Sequence, residues 1–471
     1  VRDHGWIAGS TLVLLFVLLL VPAPAALAQT TVLSGQIDGA YYRIEVPADW
    51  NGALAIWNHG LGLANSPRPL DHADLGRLAD GQLSQGIAVA ATGLRTGGWA
   101  LFDAVDDLTN LLAEFSARVG PPDRVFLAGA SMGALTSVFA VESEELPVDG
   151  VLALCGPMAG ARFWDTSVDL RLTYDLVCAG VPDAAIPGGV AGLPEGGQLT
   201  AASISRAFGH CIGTREPTLP GGSERLARLV DATLVDGRWL PFWMLISTIG
   251  LSDLVHDPAK LDGLIGAGNA SVVYEDPVVD AGIARVEPDF LGELALWQSS
   301  TPLGVRGTAR IVSLHTSLDG LAMPEHATEL ADRVPADRLT VAIVEEQRPS
   351  HCGFTRAEDL AGWDALVDWV ETGVQPDVAA LQARCEALAV GYATCRFDPD
   401  ADPGPLDDVI RPRSGILDRL AMPAPLLPAR EGDASTDPDS GELPDFEEGL
   451  SLDPEAEEAL RSIFETTPLQ P

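Results

Sequence analysis

The chain has 471 residues, 46% of them hydrophobic, enough for several domains or for one large domain with insertions. Its formal charge of −38 excludes a nucleic-acid partner, because no basic footprint exists to neutralise phosphates. Among 29 basic residues only Lys260 is a lysine, a bias that fits either a GC-rich genome or adaptation to salt.

Residues 1–28 read as a secretory signal. Arg2 and His4 precede the apolar run "TLVLLFVLLLV", and Ala26-Leu27-Ala28 before Gln29 forms an A-x-A cleavage site. The run is shorter than the ~20 residues a membrane span needs. The expectation is a bacterial protein that is secreted or periplasmic, with no stable membrane anchor after cleavage. Export favours disulfides among Cys155, Cys178, Cys211, Cys352, Cys385 and Cys395. Sequence does not choose their connectivity, although Cys385 and Cys395 are the natural local pair. No C-x-x-C or His cluster points to a metal, and no cofactor is expected.

Residues 29–157 alternate strand-like and helix-like segments. "YYRIEV" and "ALAIWNHG" read as strands, "LGRLADGQLSQ" as a helix and "GIAVAATGLR" as a buried strand. An amphipathic helix, "LFDAVDDLTNLLAEFSARV", precedes the strand "RVFLAGA", the helix "MGALTSVFAVES" and the strand "DGVLALCG". Continuous apolar strands in this rhythm predict a parallel sheet with helices on both faces. From 158 to 302 the rhythm breaks into Gly- and Pro-rich stretches and aromatic helical segments, read as a cap inserted over the sheet. Alternation resumes over 303–396 with "ARIVSLHTS", "PEHATELADRV", "LTVAIVEE" and "RAEDLAGWDALVDWVETG". Residues 397–471, rich in Pro and acid with few aromatics, read as a disordered tail.

Gly129-Ala130-Ser131-Met132-Gly133 lies between a strand and a helix, where a G-x-S-x-G elbow presents a nucleophile. A serine hydroxyl needs a base, and that base needs an orienting acid. Asp319 follows one later strand and His351 the next, in the order Ser, Asp, His. His315 and His326 flank Asp319 but read as structural or surface histidines. Glu345 and Glu346 are the alternative acids, and His72, His210 and His256 lack a strand-end context. An oxyanion hole needs two backbone N–H groups. Met132 supplies one, and Leu61 or Gly60 in "NHGLG" the other, with His59 bracing that loop. Phe163, Trp164, Trp239, Phe242 and Trp243 either cover an apolar acyl or aromatic pocket or form the insertion's own core.

The pieces "WNHGLG", "LAGASMG", "HTSLDGLAMP" and "PSHCGF" resemble the α/β-hydrolase superfamily over roughly residues 35–395, the insertion excluded. The resemblance implies a mostly parallel eight-stranded sheet flanked by helices. It also implies a serine hydrolase of the secreted bacterial esterase or peptidase type, acting on a small or polymeric ester and, as the alternative, on an amide. The pair His351-Cys352 is similar to that of tannases and feruloyl esterases, which bridge this Cys to one directly before the nucleophile. Ala130 holds that position here, so the bridge is impossible. Cys155, at the end of the strand after the nucleophile helix, is the expected partner of Cys352.

Overall fold

The computed structural model describes residues 30–62, 75–143, 146–193, 199–216, 219–302, 304, 308–390 and 394–416. The segment read as a signal peptide, His72 and most of the expected tail lie outside the described residues. Among those described, no helix is long and apolar enough to cross a membrane.

In chain order the first half contains β1 (Thr31–Ile37), β2 (Ala40–Val46), β3 (Ala53–Asn58), α1 (Ala79–Ser84) and β4 (Ala88–Thr92). It continues with α2 (Leu101–Arg118), β5 (Arg124–Ala130), α3 (Met132–Ala140) and β6 (Gly150–Leu154). Among the described residues of the insertion there follow seven α-helices: α4 (Phe163–Val177), α5 (Ala201–Cys211), α6 (Gly222–Thr233), α7 (Leu240–Leu245), α8 (Leu251–His256), α9 (Pro277–Gly282) and α10 (Phe290–Ser300). A π-helical turn, Ile246–Gly250, joins α7 to α8. The chain returns through β7 (Arg310–Thr316), α11 (His326–Ala331), β8 (Leu339–Val344), α12 (Arg356–Thr372), α13 (Val378–Leu388) and β9 (Phe397–Asp398).

The strands form one sheet in the order β1-β2-β4-β3-β5-β6-β7-β8-β9. Pairing is parallel from β4 through β8 and antiparallel at both edges. The resemblance implied eight strands; the ninth is the two-residue β9 paired on Ile343 and Val344. β1 had no assignment of its own in the sequence, and its exposed, alternating pattern explains why.

β3, β4 and β6 are buried along their whole length. Successive side chains still diverge, because Cβ atoms alternate across a strand. Leu54, Ile56, Ala90, Leu127 and Val151 enter a core with α2 and α3, while Ala55, Trp57, Phe126, Leu152 and Val312 enter another with α12 and α13. In α2, Leu101, Ala104, Leu108, Leu111 and Phe115 recur at helical spacing and form its buried stripe. Each such large side chain contributes roughly 1.5–3 kcal/mol by leaving water. α12 starts at a Thr355–Glu358 capping box and stops at Gly373, whose φ of 79° is left-handed.

The stretch read as a tail from Phe397 requires correction for its first twenty residues. Leu406 and Ile410 pack on Ala159 and Met323, and Thr328 donates to the Gly404 carbonyl at 2.6 Å. Arg413 then pairs with Asp169 at 2.6 Å and Asp165 at 3.2 Å in α4, and Arg411 donates to the Ala232 carbonyl at 2.9 Å. Composition misread this strap because its few apolar and cationic anchors are diluted among Asp and Pro.

The six cysteines form three disulfides: Cys155–Cys352, Cys178–Cys211 and Cys385–Cys395. Both pairs anticipated above are among them.

Candidate active site

Parallel pairing aligns the strand ends. Asn58 stands beside Gly129, Ala130 beside Leu154, Leu154 beside Leu314, and Leu314 beside Ala342. The segments after β3, β5, β6, β7 and β8 therefore all leave from one edge of the sheet.

Ser131 occupies the one-residue junction between β5 and α3 with φ 57° and ψ −129°. A non-glycine residue held there stores about 1–3 kcal/mol of strain. Its N–H donates to the Leu154 carbonyl at 2.9 Å, and its carbonyl accepts from Ala134 at 2.9 Å. Its hydroxyl caps no N–H of the helix it begins. The flanking glycines are steric necessities. A Cβ on Gly129 would lie 2.3 Å from the Gly133 carbonyl oxygen, and one on Gly133 would lie 2.0 Å from the Asn58 oxygen. β5, α3 and β3 approach so closely at the elbow that only hydrogen fits.

Asp319, in the turn after β7, is 3% exposed and accepts four hydrogen bonds. Oδ1 takes the N–H groups of Leu321 (2.9 Å) and Ala322 (3.2 Å). Oδ2 takes His351 Nδ1–H at 2.8 Å and the Cys352 N–H at 3.2 Å. The acid thus fixes the tautomer of His351 and leaves Nε2 as its acceptor nitrogen. Nε2 stands 3.7 Å from Cys352 Sγ. The Cys155–Cys352 bridge, with Cα atoms 5.4 Å apart, joins the end of β6 to this histidine loop. Cys155, Asp319, His351 and Cys352 cluster closely, yet both sulfurs are bonded to each other and neither is a thiolate ligand.

A cavity of about 150 Å³ opens over Ser131. Met132, Gly60, Leu61 and His351 line it on the sheet side, and Trp99, Phe163, Phe242 and Ile246 build its apolar wall. A Cβ on Gly60 would come within 3.3 Å of Ser131 Cβ, so the loop after β3 lies against the elbow. His59 is buried, with Nδ1 2.8 Å from the Gly60 carbonyl oxygen and Nε2 3.4 Å from that of Gly93, and so braces this loop.

The alternative residues do not line the cavity. His315 and His326 are fully buried, and burial pushes them down to about 4 and about 3. The Ala159 N–H donates to His326 Nδ1 at 3.1 Å. Glu346 accepts from Ser350 Oγ at 2.5 Å and Leu318 N–H at 3.3 Å, and Glu345 from Ser317 Oγ at 3.3 Å, so both tie the histidine loop to the β7 turn. His210 lies in α5 and His256 ends α8; neither lines the cavity.

The insertion's aromatics divide between both readings. Phe163 and Phe242 line the cavity. Trp164 is buried against Trp99 and Phe163, Trp243 donates from its indole to the Gly320 carbonyl at 2.7 Å, and the Trp239 ring packs against Gly320. Sequence reasoning overlooked Trp99, Ile246, Leu321 and Ala322. Trp99 follows a predicted strand end, the one signal that could have drawn attention to it.

No family model matches the chain. It is 32% identical over 120 residues to the o-phthalyl amidase of Xanthobacter agilis, a match spanning 25% of each chain. Similar solved structures include an esterase from Pyrococcus furiosus, at 11% identity and TM-score 0.33, covering 73% of this chain and 89% of that one. Feruloyl esterase B from Aspergillus oryzae is similar at 13% identity and TM-score 0.37, over 74% and 80%. The rice cell wall degrading esterase LipA from Xanthomonas oryzae is similar at 15% identity and TM-score 0.38, over 70% and 86%. The mostly parallel sheet flanked by helices, with a strand–serine–helix elbow at its carboxyl edge, gives this chain the α/β-hydrolase fold.

Proposed function

We propose that the chain is an extracytoplasmic serine hydrolase that cleaves carboxylic esters through Ser131, His351 and Asp319. The observation that carries this reading is the 2.8 Å bond from His351 Nδ1 to a buried, four-times-bonded Asp319, with His351 facing the same cavity as a strained Ser131. His351 Nε2 takes the proton of Ser131 as Oγ attacks the substrate carbonyl, and Asp319 stabilises the imidazolium that forms. The N–H groups of Met132 and Leu61 hold the oxyanion. His351 then returns the proton to the leaving alkoxide, and the C–O bond breaks to give an acyl-enzyme. Water, deprotonated by the same imidazole, adds to that acyl carbon; Ser131 Oγ leaves and takes the proton back.

Trp99, Phe163, Phe242 and Ile246 offer no charge to the bound group, and about 150 Å³ accommodates a short acyl chain or a single ring. Amide hydrolysis is the second reading, favoured by the partial identity to an amidase. Three disulfides support an oxidising compartment. Turnover of nitrophenyl esters and of anilides by wild type and Ser131→Ala tests the proposal. Ester cleavage lost in the variant supports it, faster anilide cleavage selects the amidase reading, and no turnover of either selects a non-catalytic protein with this fold.

A further inference from the structure

Lys260 is the only lysine in a chain that otherwise uses arginine for its basic residues, and it is in the interior. Its side chain is 0% exposed, and Nζ donates to Asp253 Oδ2 at 2.6 Å and to the Gly97 carbonyl at 2.9 Å, with Asp257 Oδ2 completing an ion pair at 3.2 Å. An ammonium has three donors on a compact head, whereas a guanidinium is a broad planar fork with five. Three oxygens converging on one enclosed point suit the former.

Two of these oxygens come from the insertion, Asp253 in α8 and Asp257 just after it. The third, Gly97, belongs to the loop after β4, two residues before Trp99. Asp253 Oδ2 also accepts the Trp99 backbone N–H at 3.4 Å, and a Cβ on Gly98, whose φ is 61°, would lie 1.7 Å from that oxygen. The insertion holds the Trp99 side chain as well. Its indole donates to Ser300 Oγ in α10 at 2.8 Å, and its ring stacks on Phe163 with centroids 5.4 Å apart and planes 9° apart. Trp99 is thus a residue of the sheet's own loops clasped by the insertion, and it forms the cavity wall beside Ser131.

We infer that Lys260 is a positioning residue for substrate selection: with Asp253 and Asp257 it locks the Gly97–Trp99 loop to the insertion and so sets the depth of the acyl pocket. Its link to selectivity rests on the hydrolase reading above. Buried ion pairs give way when one partner is removed but are replaceable as neutral sets. The folded test variant is therefore Lys260→Met with Asp253→Asn and Asp257→Asn, alongside Lys260→Met alone. The control is Arg228→Met with Asp276→Asn, which neutralises as a set the 3.2 Å pair between α6 and the residue before α9 and touches neither Trp99 nor Phe163.

The readout is the ratio of kcat/KM for nitrophenyl benzoate to that for nitrophenyl acetate, together with hydrogen exchange of the backbone over residues 94–100. In the triple variant the ratio changes by about tenfold or more, the scale on which one methylene is discriminated in a pocket. Exchange over residues 94–100 accelerates, and the Arg228→Met, Asp276→Asn control leaves both readouts as in wild type. An unchanged ratio with unchanged exchange overturns the inference, as does an equal change in the Arg228→Met, Asp276→Asn control. If wild type turns over neither ester, the hydrolase reading falls, and the exchange comparison alone decides whether Lys260 holds the loop.

Discussion

Asp319→Asn is the sharpest single-atom perturbation of the proposed machinery. Asp319 accepts from Leu321 and Ala322 on Oδ1 and from His351 and Cys352 on Oδ2. Because all four partners donate, the new NH₂ must meet two donors whichever way the amide turns. Facing His351, it forces the imidazole into the opposite tautomer, with Nε2 protonated and unable to accept from Ser131. Facing Leu321 and Ala322, it leaves two buried N–H groups unpaired, at about 1–3 kcal/mol each. The wrong tautomer lowers kcat by about 10,000-fold in a serine triad, near 5 kcal/mol of transition-state stabilisation. The assay is kcat for the best nitrophenyl ester, with denaturant unfolding to separate stability from chemistry. A loss below tenfold in a folded variant would refute the reasoning and transfer the acid's role to Glu346, to be checked with Glu346→Gln.

Three further outcomes are expected. Ser131→Gly abolishes turnover yet raises unfolding stability by about 1 kcal/mol, since relief of roughly 1–3 kcal/mol of backbone strain exceeds glycine's added entropy in the unfolded chain; a lower denaturant midpoint would contradict this. Replacing Cys155 and Cys352 together by Ser frees the histidine loop and lowers kcat about 10- to 100-fold, the scale of a catalytic group displaced by an ångström, with KM little affected; unaltered kcat would mean that the bridge only stabilises the fold. Burial depresses His315 to about 4 in the folded state, below its ordinary 6.5, so its contribution is present above pH 6.5 and lost as pH falls toward 4. His315→Gln should flatten that slope by roughly 3 kcal/mol in unfolding titrations against wild type. Asp165, pushed up to about 6 by burial, titrates in the opposite sense in both proteins and cancels in the comparison. Identical slopes would show that His315 is not held neutral.

The elbow and its two partners were legible because each depends on local grammar: a strand, a tight junction of small residues, and a polar residue just past a strand end. Gly129 and Gly133 carry that signal because a side chain on either collides with neighbouring backbone. The pocket wall was not legible in the same way. Trp99, Ile246 and Leu321 are far apart in sequence and meet only once the insertion has docked, so no spacing announces them. The strap through Arg411 and Arg413 is hidden for the same reason, since its partners belong to the insertion. The strap's acidic surroundings further masked two cations whose side chains are buried on docking.

The central claim is that Ser131 is the activated nucleophile, and a fluorophosphonate tests it directly. Its phosphorus should be captured by Ser131 Oγ with loss of fluoride. Mass spectrometry of the digested protein should then place one adduct on the peptide containing Gly129–Gly133, and Ser131→Ala and Asp319→Asn should remain largely unlabelled. An unlabelled wild type, or an adduct on any other residue, would contradict the account.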